Sequence, residues 1–396
     1  MPQDLSTELI HHPYRAPAGF ESPQLGVHKA STVIFADVAA MRARDWRSKK
    51  GYTYGLHGTP TSFALEERIA ALEGGRQCLL VPSGLAAIAL VNQALLGQGD
   101  EVLLPDNVYG PSRELARTEL ARWGITHRLY DPLDAPALAA MIGPRTRLVW
   151  LEAAGSVTME FPDLAGLVEA ARSRGVTTAL DNTWGAGIAF RSFDLGIDIV
   201  MQALTKYPSG GGDVLMGSVT TRDGSLHERI KLTHMHLGLG VAGNDAELVL
   251  RSLASLPLRY HAQDAAGRAL AGWLARRPEV RQVLHPALEG APGHAHWRAT
   301  CSAAAGLFSV LLDERFAPAQ VDAFVDALQL FRIGYSWAGP VSLVVPYDVA
   351  AMRAGTARGS AQLRGHLVRF SLGLEAVADL QADIEQALRA AFGTTR

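Results

Sequence analysis

Between residues 77 and 220 the chain alternates short unbroken apolar runs with longer segments whose apolar residues recur every three or four positions. An unbroken run of roughly four to eight apolar residues suits a strand covered on both faces, and the longer period suits a helix lying on it. Strands are predicted at 77–82, 101–104, 147–152, 177–181, 198–204 and 214–220, and helices at 62–73, 85–96, 111–123 and 164–174. The first helix places Phe63, Leu65, Ile69 and Leu72 on one face and stops at Gly74-Gly75; the third has Pro111 in its first turn.

This alternation predicts an α/β fold with a mostly parallel sheet flanked by helices, and such sheets bind ligands at the carboxyl ends of their strands. Residues 1–50 are rich in Pro and small residues and hold one short apolar run, Ser31-Thr32-Val33-Ile34-Phe35, so they read as an extended arm laid on a neighbouring subunit. After Leu256-Pro257 the texture becomes Ala-rich, with helices predicted at 263–276, 320–328 and 380–392 and strands at 280–284 and 307–312. The expected division is an arm (1–50), a large domain (51–256) and a smaller C-terminal α/β domain (257–396).

Two of the predicted strands end in chemistry. The run 177–181 ends in Asp181, and the run 198–204 leads through Thr205 into Lys206. A loop lysine and a turn-forming aspartate are the ordinary explanations of each residue alone. An amine and a carboxylate at neighbouring strand ends are also the pair that pyridoxal phosphate requires: the amine bonds its aldehyde, and the carboxylate keeps a proton on its ring nitrogen. Ser83-Gly84-Leu85 follows a strand and opens a helix, so the amides of Gly84 and Leu85 are placed to cradle a phosphate. A glycine that merely permits a tight turn is the competing explanation there. Thr205 offers a further hydroxyl.

Composition narrows the classes. The formal net charge of −2 over 396 residues is interspersed and leaves no basic face for nucleic acid. No apolar run approaches the roughly 18 residues of a membrane span, no signal pattern opens the chain, and a cytoplasmic location is expected. Cys78 and Cys301 lie far apart in apolar or small-residue contexts and read as free, buried thiols.

The same residues, with others, carry a resemblance that runs through nearly the whole chain. Tyr54-Gly55 through Gly58-Thr59-Pro60-Thr61, Ser83-Gly84, Val108-Tyr109-Gly110-Pro111-Ser112, Gly155-Ser156-Val157-Thr158-Met159-Glu160, Asp181-Asn182-Thr183-Trp184, Thr205-Lys206-Tyr207, Tyr335-Ser336-Trp337 and Arg369 before Gly373-Leu374-Glu375 occur in one order. In that order they resemble the fold-type I pyridoxal-phosphate enzymes of cysteine and methionine metabolism, and within them the cystathionine β-lyases. The resemblance implies that Lys206 bonds the cofactor and later shuttles the substrate Cα proton. It further implies that Asp181 pairs with the ring nitrogen, Tyr109 stacks on the ring, and Gly84 and Leu85 hold the phosphate. Tyr54 would reach that phosphate from a neighbouring subunit, Arg369 would grip the substrate carboxylate, and Ser336 and Trp337 would line the substrate pocket. The implied reaction is elimination of a thiol from Cβ of a sulfur amino acid, in a homotetramer. A γ-lyase or γ-synthase on the same scaffold is the alternative. Retention of Lys206, Asp181, Tyr109 and Arg369 argues against a protein that binds the cofactor without catalysis.

Gly238-Leu239-Gly240-Val241-Ala242-Gly243 fits a dinucleotide fingerprint, but no β-branched strand precedes it, and a loop opening a helix is expected. The pairs His234/His236 and His294/His296 lack a third ligand at suitable spacing, so no metal is expected. A serine hydrolase lacks its GxSxG turn.

Two positions depart from the family pattern: Val341 stands where relatives often carry Glu, and Leu56 where many carry an Arg that neutralises the cofactor phosphate across the subunit interface. Leu56→Arg is therefore expected to tighten cofactor retention. An unchanged cofactor dissociation constant would count against this reading.

Overall fold

The computed structural model describes residues 4–13, 18–20, 22–349 and 365–393; parts of the expected arm (1–3, 14–17 and 21) and of the expected C-terminal domain (350–364, 394–396) lie outside the described residues. The first of two sheets comprises β1 (Gln77–Val81), β2 (Glu101–Pro105), β3 (Thr126–Tyr130), β4 (Thr146–Glu152), β5 (Thr177–Asp181), β6 (Ile199–Ala203) and β7 (Gly217–Thr221). Its strand order is β1-β7-β6-β5-β4-β2-β3. The run from β6 to β3 is parallel throughout, and β7 is antiparallel to both of its neighbours.

The unbroken apolar runs are explained by cover on both faces. In β4, Leu148 and Trp150 join the cluster that includes Ile88, Leu90 and Val102, whereas Val149 and Leu151 join the opposite one with Leu65, Ile69 and Leu103. Successive side chains of a strand point to opposite faces, so a strand between two layers must be apolar at every position. Helix Gly84–Leu95 packs on one face and helix Pro60–Glu73 on the other, the latter opened by a capping box between Thr59 and Ser62 and closed by left-handed Gly74.

The structure differs from the sequence reading at several elements. The strand expected at 214–220 begins only at Gly217, because the Thr205 hydroxyl takes the amide of Met216 (3.1 Å) and holds the preceding residues in a loop. The helix expected at 111–123 starts at Gly110 and passes through a π turn at Ala116–Leu120. β3 was not predicted: it is an edge strand, Thr126-His127-Arg128-Leu129-Tyr130, whose exposed positions carry polar residues and break the apolar run. The glycine-rich stretch at 238–243 joins two helices, with Gly238 closing Gly224–Leu237 in the left-handed region (φ 66°). Cys78 is buried as expected, but Cys301 is only half-buried.

The second sheet comprises β8 (Val280–Leu284), β9 (Leu307–Leu312), β10 (Arg332–Ile333), β11 (Leu343–Tyr347) and β12 (His366–Ser371), in the order β10-β11-β12-β9-β8. It has its own buried cluster, including Phe308, Val310, Phe324, Phe370, Leu380 and Ile384, against which helix Val377–Phe392 lies. Asp383 of that helix is buried and accepts the backbone amides of Gln329 (2.8 Å), Leu330 (2.8 Å) and Phe331 (3.3 Å). It thereby satisfies the turn that leads into β10. Asp383→Ala removes the acceptor of three amides at once and is expected to lower stability by about 1–3 kcal/mol, the cost of leaving the buried Phe331 amide unsatisfied. Denaturant unfolding checks this, with Asp383→Asn expected to lose less.

Candidate active site

The site's floor is a row of strand ends. β4 ends in Glu152, β5 in Asp181 and β6 in Ala203, and the parallel register sets Glu152 directly beside Asp181. β1 ends nearby at Val81, and the chain turns through Ser83 into helix Gly84–Leu95. Glu152, Asp181, Ala203, Ser83 and Gly84, with Tyr109, Thr205, Lys206, Trp337 and Arg369, line one cleft. It lies at the carboxyl end of a parallel sheet, where helix amino termini also point.

Lys206 stands one tight turn beyond β6, its amide donating to Ala203 O (3.0 Å). Its Nζ donates to Ser336 Oγ (2.7 Å) and lies 5.6 Å from the centre of the Trp337 ring. Burial pulls this amine down to about 8, helped by the Arg369 cation and opposed by Asp181. Asp181 accepts the amide of Thr183 (3.0 Å), and the Thr183 hydroxyl accepts the amide of Ala203 (2.9 Å), so the turns after β5 and β6 are tied together. Burial raises the Asp181 carboxyl above the ordinary range despite the Thr183 hydrogen bonds and the Lys206 charge. A carboxyl so placed gains from a further cationic group in front of it.

The helix amino terminus is shaped for close approach. Ser83 Oγ caps the amide of Ala86 (3.1 Å), and no acceptor among the described residues takes the amides of Gly84 and Leu85, which line the cleft. Glycine at 84 is required by packing: a Cβ there would lie 2.6 Å from Ala203 Cβ. The helix therefore rests directly on β6, and its free amides sit beside the strand that delivers Lys206. An anion at the helix terminus, a flat ring beside Tyr109, a basic ring nitrogen before Asp181 and an aldehyde within reach of Lys206 together describe pyridoxal phosphate. The residues present fit that cofactor.

Arg369 enters from β12 of the second sheet; it is buried, donates to Ser336 O (3.2 Å) and lies 5.3 Å from the centre of the Tyr347 ring. Ser336, at a left-handed φ of 84°, thus touches the amine of Lys206 with its hydroxyl and the guanidinium of Arg369 with its carbonyl.

Of the residues singled out in the sequence, Lys206, Asp181, Gly84, Leu85, Tyr109, Thr205, Trp337 and Arg369 line one cleft, and Ser336 bridges two of them. Two stand apart. Tyr54 is half-exposed, forms a bridge with Thr32 and is not part of the cleft wall in its own chain. Thr205 lines the cleft, but its hydroxyl both accepts from Met216 N (3.1 Å) and donates to Met216 O (3.3 Å), so its first duty is to the loop before β7. Sequence reasoning missed Glu152, Trp184 and Leu215 as lining residues. Glu152 left a signal: it ends a predicted strand as Asp181 does.

A lysine with a lowered pKa loses its proton, and gains its nucleophilic lone pair, as the pH rises through about 8 instead of through the usual lysine range. The rate at which cofactor-free protein captures pyridoxal phosphate is therefore expected to rise with a midpoint near pH 8. A midpoint above 10 would show that the cleft does not hold Lys206 as described.

Residues 6–389 match the family model described as "Cys/Met metabolism PLP-dependent enzyme". The cystathionine beta-lyase of Bordetella avium is 37% identical over 390 residues, 96% of this chain and 96% of that protein. The cystathionine beta-lyase of Salmonella typhimurium is 34% identical over 388 residues, 96% of this chain and 97% of that protein. Among solved structures, a cystathionine gamma synthase from Xanthomonas oryzae pv. oryzae superposes with a TM-score of 0.91 at 29% identity, covering 100% of both chains. A match this continuous takes in both sheets and every strand end that lines the cleft, and the chain belongs to the pyridoxal-phosphate-dependent enzymes of cysteine and methionine metabolism.

Proposed function

We propose that the protein is a carbon–sulfur β-lyase that cleaves L-cystathionine to homocysteine, pyruvate and ammonia, a step of methionine biosynthesis. The observation that carries this reading is the link from Lys206 through Ser336 to Arg369: a weakly basic amine and a carboxylate-binding cation stand on either side of one serine, as an α-amino acid requires. Relatives named for this reaction are similar over almost the whole chain.

The bound cofactor supplies an electron sink that makes the Cα proton of an amino acid acidic. The chain's own residues do the rest. Arg369 binds the α-carboxylate through its planar fork and so fixes the Cα–H bond relative to Lys206 Nζ. Nζ, already weakly basic from burial, takes the Cα proton, and Ser336 Oγ holds the amine on the substrate side of the cleft. Asp181 would hold a proton on the cofactor's ring nitrogen. Trp337 and Tyr109 present aromatic faces that exclude water from the leaving thiolate.

The same proposal includes a homotetramer in the cytoplasm, with Tyr54 completing a neighbouring subunit's site; its exposure and its place outside its own cleft support that role. Exposed Phe20, Ile34, Val38 and Met41 in the arm give a partner subunit apolar surface to cover. The division into domains at 256/257 belongs to this reading too, supported by a separate buried cluster for the second sheet and by helix Leu256–Leu274 beginning there. γ-Elimination remains the rival, since a γ-synthase shares the architecture.

Incubation of cofactor-loaded protein with L-cystathionine, followed by mass spectrometry, decides between them. Homocysteine and pyruvate, absent with Lys206→Ala, are expected. Cysteine and 2-oxobutyrate would transfer the assignment to γ-elimination.

A further inference from the structure

Among the described residues that line the cleft, Glu152 and Asp181 are the acidic ones. Glu152 ends β4 as Asp181 ends β5, paired with it in register, and it is buried. Its Oε2 accepts the backbone amide of Tyr109 at 2.8 Å. Tyr109 is the residue immediately before helix Gly110–Leu115 and makes no side-chain cap of its own, so its backbone is anchored here by a carboxyl group from another strand. Its ring meanwhile stands half-exposed over the cleft. The loop on the other side of Glu152 is held by the same local framework: Ser156 N donates to Asn107 O (2.9 Å), and Gly155 packs so closely on Asn107 that a Cβ would lie 1.9 Å from Asn107 Nδ2.

We propose that Glu152 is a positioning residue of this site, which fixes the aromatic wall against which the cofactor ring rests by accepting the Tyr109 amide at the end of β4. It performs this task as the neutral acid. Burial, and the Asp181 carboxylate one strand away, push its carboxyl well above the usual carboxylate range, and the backbone amides it accepts offset this only in part. The roles at the two strand ends are thereby divided. Lys206 opposes the burial of Asp181, whereas only backbone amides offset that of Glu152, which acts through geometry. Two carboxylates side by side in a buried floor would repel each other, so one charge is the stable arrangement.

The inference rests on the reading of the cleft as a pyridoxal-phosphate site and not on which sulfur amino acid is cleaved, so its test omits substrate. The cofactor dissociation constant and the visible circular dichroism of the bound cofactor are measured for wild type, Glu152→Gln, Glu152→Ala, Glu152→Asp and Tyr109→Ala. Glutamine is the uncharged isostere of a protonated carboxyl, and its carbonyl can accept the Tyr109 amide as Oε2 does. Glu152→Gln is expected within about twofold of wild type with an unchanged dichroic band. Glu152→Ala, and Glu152→Asp with its withdrawn acceptor, are expected to bind roughly tenfold more weakly, the loss one unsatisfied buried amide carries. Both should move the dichroic band toward that of Tyr109→Ala. Should Glu152→Ala fail to fold, Glu152→Asp against Glu152→Gln decides alone. A Glu152→Gln protein as damaged as Glu152→Asp would show that the carboxylate is required and overturn the neutral-acid role. Normal binding and an unmoved band in Glu152→Asp would overturn the positioning role, as would a Tyr109→Ala band identical to wild type. Failure to turn over L-cystathionine changes none of these readings.

Discussion

Everything in the cleft depends on the parallel register of β4, β5 and β6. Parallel strands deliver their carboxyl ends to one level, and here that level holds Glu152, Asp181 and Ala203, the last a single turn from Lys206. Placing charge on a buried sheet edge is costly unless each group has an opposing partner. The residues answer that constraint with short-range ties: Thr183 amide to Asp181, Ala203 amide to the Thr183 hydroxyl, Tyr109 amide to Glu152. The apolar cover on both sheet faces follows from the same demand, because only a rigid, dry sheet keeps these ends in place.

The second sheet meets the first partly through apolar packing, with Leu307, Leu311 and Leu367 in one cluster with Val149 and Leu151, and at the site the contact is polar. Ser336 joins Lys206 and Arg369, which come from β6's trailing turn and from β12. A small hydroxyl is suited to this place, since it satisfies a buried amine without neutralising it. A carboxylate there would hold Nζ protonated and remove its ability to act as a base.

Much of the first sheet was readable because doubly covered strands announce themselves as unbroken apolar runs. Lys206 and Asp181 were legible for the same reason, as lone polar residues terminating such runs. The edge strand β3 was not, since Thr126 and Arg128 face solvent and interrupt the pattern. Nor were β10 to β12: β10 has two residues, and β11 contains Pro346. The roles of Arg369 and Ser336 came from family resemblance, because long-range convergence of residues 206, 336 and 369 leaves no local periodicity. Glu152 was visible as a strand-terminal acid, but only the structure reveals the Tyr109 amide that it serves.

The order of these groups along the chain carries its own consequence. Gly84, Tyr109, Glu152, Asp181 and Lys206 all precede β8, the first strand of the second sheet, whereas Ser336, Trp337 and Arg369 all follow it. A chain growing from its amino terminus thus acquires the groups that face the cofactor well before those that grip an amino acid. Synthesis passes through a stage in which a ligand can assist the first sheet's folding while catalysis is still impossible, and a reactive centre need not exist until its lid has been made.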